Sequence, residues 1–261
     1  MTKERIDILM TNRGLAESRS KAQRLVRAGE VRVNDQLVHK PSTKVPADAE
    51  ITLRAKLPFV SRGGEKLDAA VHRFGIDVTA AVAADVGAST GGFTDCLLQH
   101  GAQRVYAIDS GYGQLHWSLR NDPRVVAMER TNARHLESLP EQVDITTIDV
   151  SFISLALILP RTVMWLKPNG ELIALIKPQF EAGPQHVERG GVVRDPTIHR
   201  RVIERTLGSA ARLELQLRGL MPSPLRGPAG NIEFLAWWGR QGRDIHQEDT
   251  VENALSQIPP P

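Results

Sequence analysis

Ala81-Val82-Ala83-Ala84-Asp85-Val86-Gly87-Ala88-Ser89-Thr90-Gly91-Gly92-Phe93-Thr94-Asp95 runs from an apolar, strand-like stretch into a loop with three glycines. Glycine lets a backbone turn sharply and come close to a ligand. The loop departs from the dinucleotide-binding fingerprint, because Ser89 stands where its second glycine belongs. Asp109 follows 24 residues beyond Asp85, at the end of the next apolar run, where a carboxylate can accept both hydroxyls of a ribose. The glycines alone are equally a tight turn before a capped helix; with the spaced Asp109 they favour a nucleoside ligand.

Around this stretch β-rich apolar runs alternate with helical ones. The strand segments are residues 81–86, 105–109, 125–128, 145–150, 172–176, 215–220 and 232–238. Such alternation predicts an α/β fold, a parallel doubly wound sheet with helices on both faces and ligands at the carboxyl ends of its strands. The last run follows 215–220 after a Pro/Gly-rich loop and no helix, which predicts an antiparallel hairpin at the sheet edge.

The 261 residues hold 33 Lys+Arg and 30 Asp+Glu, a formal charge of +3, with 41% apolar and 24% charged residues. That is globular composition, which excludes a disordered or fibrous chain. One cysteine, Cys96, rules out a disulfide framework and a thiolate cluster, and it suits a reducing compartment. The start lacks the apolar core of a signal peptide, and no stretch approaches the roughly 20 apolar residues of a spanning helix. The expected location is therefore the cytoplasm, away from any membrane. Eight histidines, scattered without a His-x-x-x-His pair or a cysteine beside them, predict no structural zinc, while an activating magnesium stays open.

The charge is uneven. Residues 1–60 carry 12 Lys+Arg and 7 Asp+Glu, so a basic head precedes a near-neutral body. Residues 15–28 read as a helix, with Leu15, Ala22, Leu25 and Val26 on one face, cations elsewhere and Gly29 as its stop. Residues 30–38 read as strand, turn and strand. By themselves these cations are equally a solvated helix face. Pro58 marks the end of the head.

Arg5-Ile6-Asp7, Gly14 through Ala22, Leu25 through Asn34 and Lys40-Pro41-Ser42 resemble the S4 RNA-binding module over nearly its whole length. Asp85 through Asp95, Ile108-Asp109-Ser110-Gly111-Tyr112-Gly113-Gln114-Leu115 and Glu129 through Arg134 resemble the S-adenosylmethionine site of FtsJ-like methyltransferases. Ser61 through Leu67, Asp149-Val150-Ser151-Phe152-Ile153-Ser154-Leu155 and Ile176-Lys177-Pro178-Gln179-Phe180-Glu181 are similar to the TlyA branch, an S4 module fused to an FtsJ-like domain.

The resemblance implies a Rossmann-like class I methyltransferase, a mostly parallel seven-stranded sheet with an antiparallel edge strand, preceded by a small α+β S4 domain. The expected divisions are an S4-like domain at 1–57, a linker at 58–62, a methyltransferase domain at 63–245 and a flexible tail at 246–261. It implies S-adenosylmethionine as cofactor and methyl transfer to the ribose 2′-hydroxyl of cytidine in ribosomal RNA of the small or large subunit. The expected partner is ribosomal RNA or a ribosomal subunit, with no obligate protein partner evident. Cofactor-binding positions would be Asp85, Gly87, Ala88, Ser89, Thr90, Gly91, Gly92, Phe93, Asp109, Ser110, Gln114, Leu115 and Asn132. RNA would be held by Arg5, Arg13, Arg19, Lys21, Arg24, Arg27 and Arg62, whose contacts to phosphates position the substrate without choosing the nucleotide.

A ribose hydroxyl is a poor nucleophile, whereas a sulfonium methyl is already activated, so catalysis needs in-line positioning and help with the departing proton. FtsJ-like enzymes use a Lys-Asp-Lys-Glu set, and Lys66, Asp149, Lys177 and Glu233 are the matching positions here. Lys177 would steer and deprotonate the hydroxyl, Lys66 and Asp149 would orient it, and Glu233 would hold a lysine or the ribose. Phe152 is placed either to stack on the target nucleotide or to pack in the core. Residues 181–195 read either as a loop closing over substrate or as a plain surface connection. Rival readings are a pseudouridine synthase, which needs no nucleoside loop; a membrane-active hemolysin, a label the family also carries; and an NAD oxidoreductase, which fails on Ser89.

Overall fold

A computed structural model of the chain describes residues 3–53, 58–241 and 245–258. The connector residues 54–57 and the three closing prolines fall outside them. The chain divides into two compact units, Met1–Leu57 and Pro58–Pro261.

In the first unit β1 (Lys3–Arg5) leads into helix α1 (Ile6–Asn12), which buries Ile6, Leu9 and Met10 at helical spacing. Then come α2 (Arg19–Arg27), β2 (Val31–Val33), β3 (Gln36–Leu37), β4 (Lys44–Pro46) and β5 (Ile51–Leu53). β1 pairs with β4, and the order β3-β2-β5 forms a second small sheet. Two features differ from expectation. The seven-residue α1 was not anticipated, and α2 begins at Arg19, four residues late, because the Ser18 side chain accepts a hydrogen bond from the Lys21 amide and caps it there. Asn34 and Asp35 turn the β2–β3 hairpin with φ of 48° and 62°, a left-handed turn whose twist suits two strands joined by two residues.

The second unit opens with α3 (Gly63–Phe74), then β6 (Val82–Val86), α4 (Gly92–Gln99), β7 (Arg104–Ile108), α5 (Trp117–Arg120), β8 (Val125–Met128) and β9 (Val143–Ile148). It closes with α6 (Leu159–Trp165), β10 (Leu166–Ile176), α7 (Pro178–Glu181), α8 (Pro196–Ala211), β11 (Gln216–Pro222), β12 (Phe234–Gly239) and α9 (Gln247–Ser256). The seven strands order as β11-β12-β10-β9-β6-β7-β8. β12 runs antiparallel between β10 and β11, and the remaining pairings are parallel, so the antiparallel element is the expected edge hairpin.

Alternate strand residues divide the core. Val82, Ala84, Val86, Leu172, Ala174 and Phe234 pack toward α6, α8 and α9, while Ala83, Val105, Ile145, Ile173 and Leu235 pack toward α3 and α4. This period of two, buried on both faces, is why the strands read as continuous apolar runs.

Two divisions need correction. Residues 58–62 are not a linker but part of the second unit: Phe59 is buried against Gly64, and the Val60 amide donates to Asp95 at 2.7 Å. The supposed flexible tail contains α9, whose Val251 and Ala254 are buried in the main core. Leu255 and Ile258, partly buried, pack against the same core, so the helix lays down apolar residues at helical spacing in an otherwise polar stretch. Val251→Asp, which would bury an unpaired charge, is expected to cost about 3 kcal/mol or more, read by urea unfolding of the full chain.

Candidate active site

Four loops meet at the carboxyl edge of the sheet. The loop after β6 makes its turn at Gly87, where φ is 83° and an added Cβ would lie 2.4 Å from the Asp149 carbonyl oxygen. Asp149 follows β9 directly and donates its amide to Val86 at 2.9 Å. β10 ends at Ile176, opposite Phe234 of β12, so Lys177 leaves one strand where Glu233 enters its antiparallel neighbour. Helix α3 is brought alongside by small residues: a Cβ on Gly92 would meet the Gly64 amide nitrogen at 2.8 Å.

The Lys-Asp-Lys-Glu set resolves into two ion pairs. Lys177 Nζ lies 2.6 Å from Asp149 Oδ1, and Lys66 Nζ lies 2.6 Å from Glu233 Oε2, the latter pair almost wholly buried. Each pair has a neighbour that sequence reasoning left without a role. Ser151 Oγ accepts from Lys177 Nζ at 3.0 Å, and Gln179 Nε2 donates to the second oxygen of Glu233 at 3.0 Å. Both stand two residues beyond a chosen residue on the same loop, the one signal that would have found them.

A cavity of about 440 Å³ opens beside the Lys177–Asp149 pair and is lined by Asp149 alone of the four residues. Of the expected cofactor positions Gly87, Ser89, Asp109, Ser110, Gln114 and Asn132 line it, together with Val86, Ile108, Thr131, Val150 and Ile153, which the sequence did not single out. Asp109 is fixed by two amides: Oδ2 accepts from Ser89 at 2.8 Å and Oδ1 from Gly111 at 2.7 Å. Ser89 has a left-handed φ of 48°, which presents its amide to that carboxylate.

The other expected cofactor positions stand behind the wall. Phe93 and Leu115 are buried in the α3/α4 core, as is Ala88, and Gly91 gives Leu115 and Leu119 room to pack. Gly92 faces α3, and Thr90 uses its carbonyl to accept from the His116 amide. Asp85 is fully buried and accepts from Thr94 Oγ1 at 2.7 Å and Thr147 Oγ1 at 3.2 Å, joining β6 to α4 and β9. It supports the glycine loop and does not face the cavity. Strand alternation accounts for this, since Asp85 and Val86 point to opposite faces.

Phe152 is not core. It is 89% exposed with φ of 63°, and its ring lies 4.7 Å from that of Phe180 above Lys177. Glu181, buried, accepts from Ser154 Oγ and the Leu155 amide, both at 2.7 Å, and so ties the loop of Phe152 to that of Lys177. Residues 181–195 form a stitched connection: Asn231 accepts from the Val193 amide at 2.9 Å and donates to the Gly191 carbonyl at 2.7 Å.

In the first unit, some expected RNA ligands are committed to the fold. Arg5 makes two hydrogen bonds to buried Asp7, Arg19 adds one through Nε, and Arg13 donates to the carbonyls of Ala47 and Ala49. The Arg5 guanidinium, with Gln23 and Arg19, holds the Asp7 carboxyl well below the usual range despite its burial. Lys21, Arg24 and Arg27 are exposed and make no ion pair among the described residues, and Arg62 is exposed at the start of α3.

Burial pushes the Asp85 carboxyl from 3.8 up to about 7, against the hydrogen bond from Thr94 and with a contribution from the Asp149 charge. Between those values the unfolded chain loses a proton that the folded chain keeps, so stability falls as pH rises through the window. Asp85→Asn has no such proton. Its stability relative to the unaltered chain is expected to climb from about pH 4 to about pH 7 and then level off; denaturant unfolding across that range checks it.

Comparison with known proteins gives the same two parts. The family model of FtsJ-like methyltransferases matches residues 59–240, and that of the S4 domain matches residues 4–51. The chain is 44% identical to the 16S/23S rRNA (cytidine-2′-O)-methyltransferase TlyA of Mycobacterium tuberculosis over 98% of both chains. It is 40% identical to Hemolysin A of Brachyspira hyodysenteriae, over 89% of this chain and 98% of that one. A solved structure from Streptococcus thermophilus, 41% identical, superposes with a TM-score of 0.73 over 98% of this chain and 97% of the other. The chain belongs to the FtsJ-like methyltransferase family, in the branch that carries an S4 domain at its N-terminus.

Proposed function

We propose that this protein transfers the methyl group of S-adenosylmethionine to the ribose 2′-hydroxyl of cytidine in ribosomal RNA, in the cytoplasm. The observation that carries the reading is the Lys177–Asp149 pair opening beside a nucleoside-sized cavity. The cavity's donor set fits S-adenosylmethionine. Asp109 would take the ribose hydroxyls, Val86, Ile108 and Ile153 offer an apolar bed, and Gly87 leaves space where any side chain would strike Asp149. The bound cofactor supplies an activated methyl group.

The protein's own part is placement. Lysine has three donors; Lys177 gives one to Ser151 and holds Asp149 by charge at ion-pair distance, which leaves a donor for the oxygen of the ribose hydroxyl. When the hydroxyl oxygen is methylated its proton would pass to the Asp149 carboxylate, the member of the pair with room for it, while Lys177 holds the oxygen in place. Lys66 and Glu233, buried and paired, brace the floor beneath. Removing one partner of such a pair costs roughly 3–5 kcal/mol, so substitutions there would mix folding with chemistry. Phe152, exposed and backed by Phe180, is suited to stacking on the target nucleotide.

Among the described residues no helix is long and apolar enough to cross a membrane. RNA anchoring falls to Lys21, Arg24 and Arg27, with Arg19 sharing its guanidinium between Asp7 and solvent.

Lys177→Ala is expected to fold and bind S-adenosylmethionine, yet to lose at least about 100-fold in methyl transfer to ribosomal RNA, measured with labelled donor. Comparable turnover would refute the assignment. Replacing Lys21, Arg24 and Arg27 together by alanine should weaken RNA binding and reduce the slope of log affinity against log salt by about 3.

A further inference from the structure

Away from the cavity, the packing face between α3 and α4 holds a cluster that the methyltransferase reading does not use. A carboxylate oxygen of Asp68, the thiol sulfur of Cys96 and a ring nitrogen of His100 all lie within 4.8 Å of one another. His100 Nε2 is 2.7 Å from Asp68 Oδ1, and His72 Nδ1 approaches the same oxygen at 3.3 Å. The His72 and His100 rings meet edge to face, 5.2 Å apart.

The spacing is that of two ligand pairs. Asp68 and His72 stand four residues apart on α3, Cys96 and His100 four apart on α4 and its cap, so each pair projects from one face of its helix. Neither pair is His-x-x-x-His and the two helices meet only in the fold, which is why histidine spacing alone predicts no zinc here. Access is graded. Cys96 is fully buried at the floor, Asp68 and His100 are partly exposed walls, and His72 is 69% exposed at the mouth.

We infer that Asp68, Cys96 and His100, with His72 closing the fourth position, form a binding site for one transition-metal ion of the zinc class. Sulfur, imidazole nitrogen and a single carboxylate together suit a borderline-soft ion, while magnesium and calcium call for oxygen throughout. With bonds of about 2.0–2.3 Å, ligand atoms around a tetrahedral ion stand about 3.5 Å apart, so separations in the cluster that approach 4.8 Å would draw in by about 1 Å while the 2.7 Å contact of His100 with Asp68 opens by slightly less. On binding, the metal–sulfur bond replaces the S–H bond and the thiol proton passes to solvent. The ion would clasp α3, which carries Lys66, to α4, which follows the glycine loop.

The test is titration of the full-length, chelator-treated protein with Co²⁺ under reducing conditions. About one Co²⁺ per chain is expected, with the visible bands of a tetrahedral ion and a thiolate-to-cobalt charge-transfer band in the near ultraviolet. Cys96 is the only cysteine, so that band reports on it alone. Zn²⁺ should bleach both signals, and Cys96→Ser should abolish the charge-transfer band. His100→Gln and Asp68→Asn, at the accessible rim, should weaken Co²⁺ binding at least about tenfold and decide the matter even if Cys96→Ser does not fold. Absence of the charge-transfer band at saturating Co²⁺, cobalt binding without thiolate, or undiminished binding in both rim variants would overturn the proposal.

Discussion

Between the loop after β6 and the residue after β9 there is no room for a side chain. Gly87 takes a left-handed φ and passes so near the Asp149 carbonyl that even a methyl group would collide with it. That close passage joins the two halves of the site, one built to cradle a nucleoside and the other to handle a hydroxyl. Asp149 is held by its own backbone, through Val86, before its side chain reaches Lys177. Buried Asp85 sits beneath the same turn and braces three elements at once.

The charges at this edge are arranged by depth. The Lys66–Glu233 pair lies under the surface and satisfies its remaining oxygen with Gln179, so it costs little to keep and much to break. The Lys177–Asp149 pair is more open, and an open pair can exchange one partner for substrate. A similar economy governs the first unit, where buried Asp7 gathers Arg5, Arg19 and Gln23 and leaves the later cations of α2 outside.

Much of this was legible in the sequence because apolar runs and glycine punctuation act locally. All seven body strands and the edge hairpin were readable that way, whereas the Lys-Asp-Lys-Glu set came only from resemblance to FtsJ-like enzymes. What was not readable depends on which face a residue takes or on contacts between distant elements. Asp85 belongs to the same motif as Gly87 yet points the other way. Arg5 and Arg13 read as ligands for RNA by resemblance to the S4 module, which does not tell that Asp7, buried two residues on, and the distant carbonyls at 47 and 49 take up their guanidinium groups. Helix α9 was missed because the polarity of its surroundings and the prolines after it outweighed the helical spacing of Val251, Ala254, Leu255 and Ile258, and Phe59 because a proline next to it suggested a connector.

The Lys66–Glu233 pair spans 167 residues of chain. Synthesis proceeds from the N-terminus, and a domain folds as a unit. The residues that line the nucleoside cavity are all made by Ile158, whereas the floor of the catalytic edge must await β12. Until then Lys66 is a charge without its counterpart. The enzyme's competence is thus set by the last strand to arrive, and the antiparallel insertion of β12 acts as the closing stitch of the assembly.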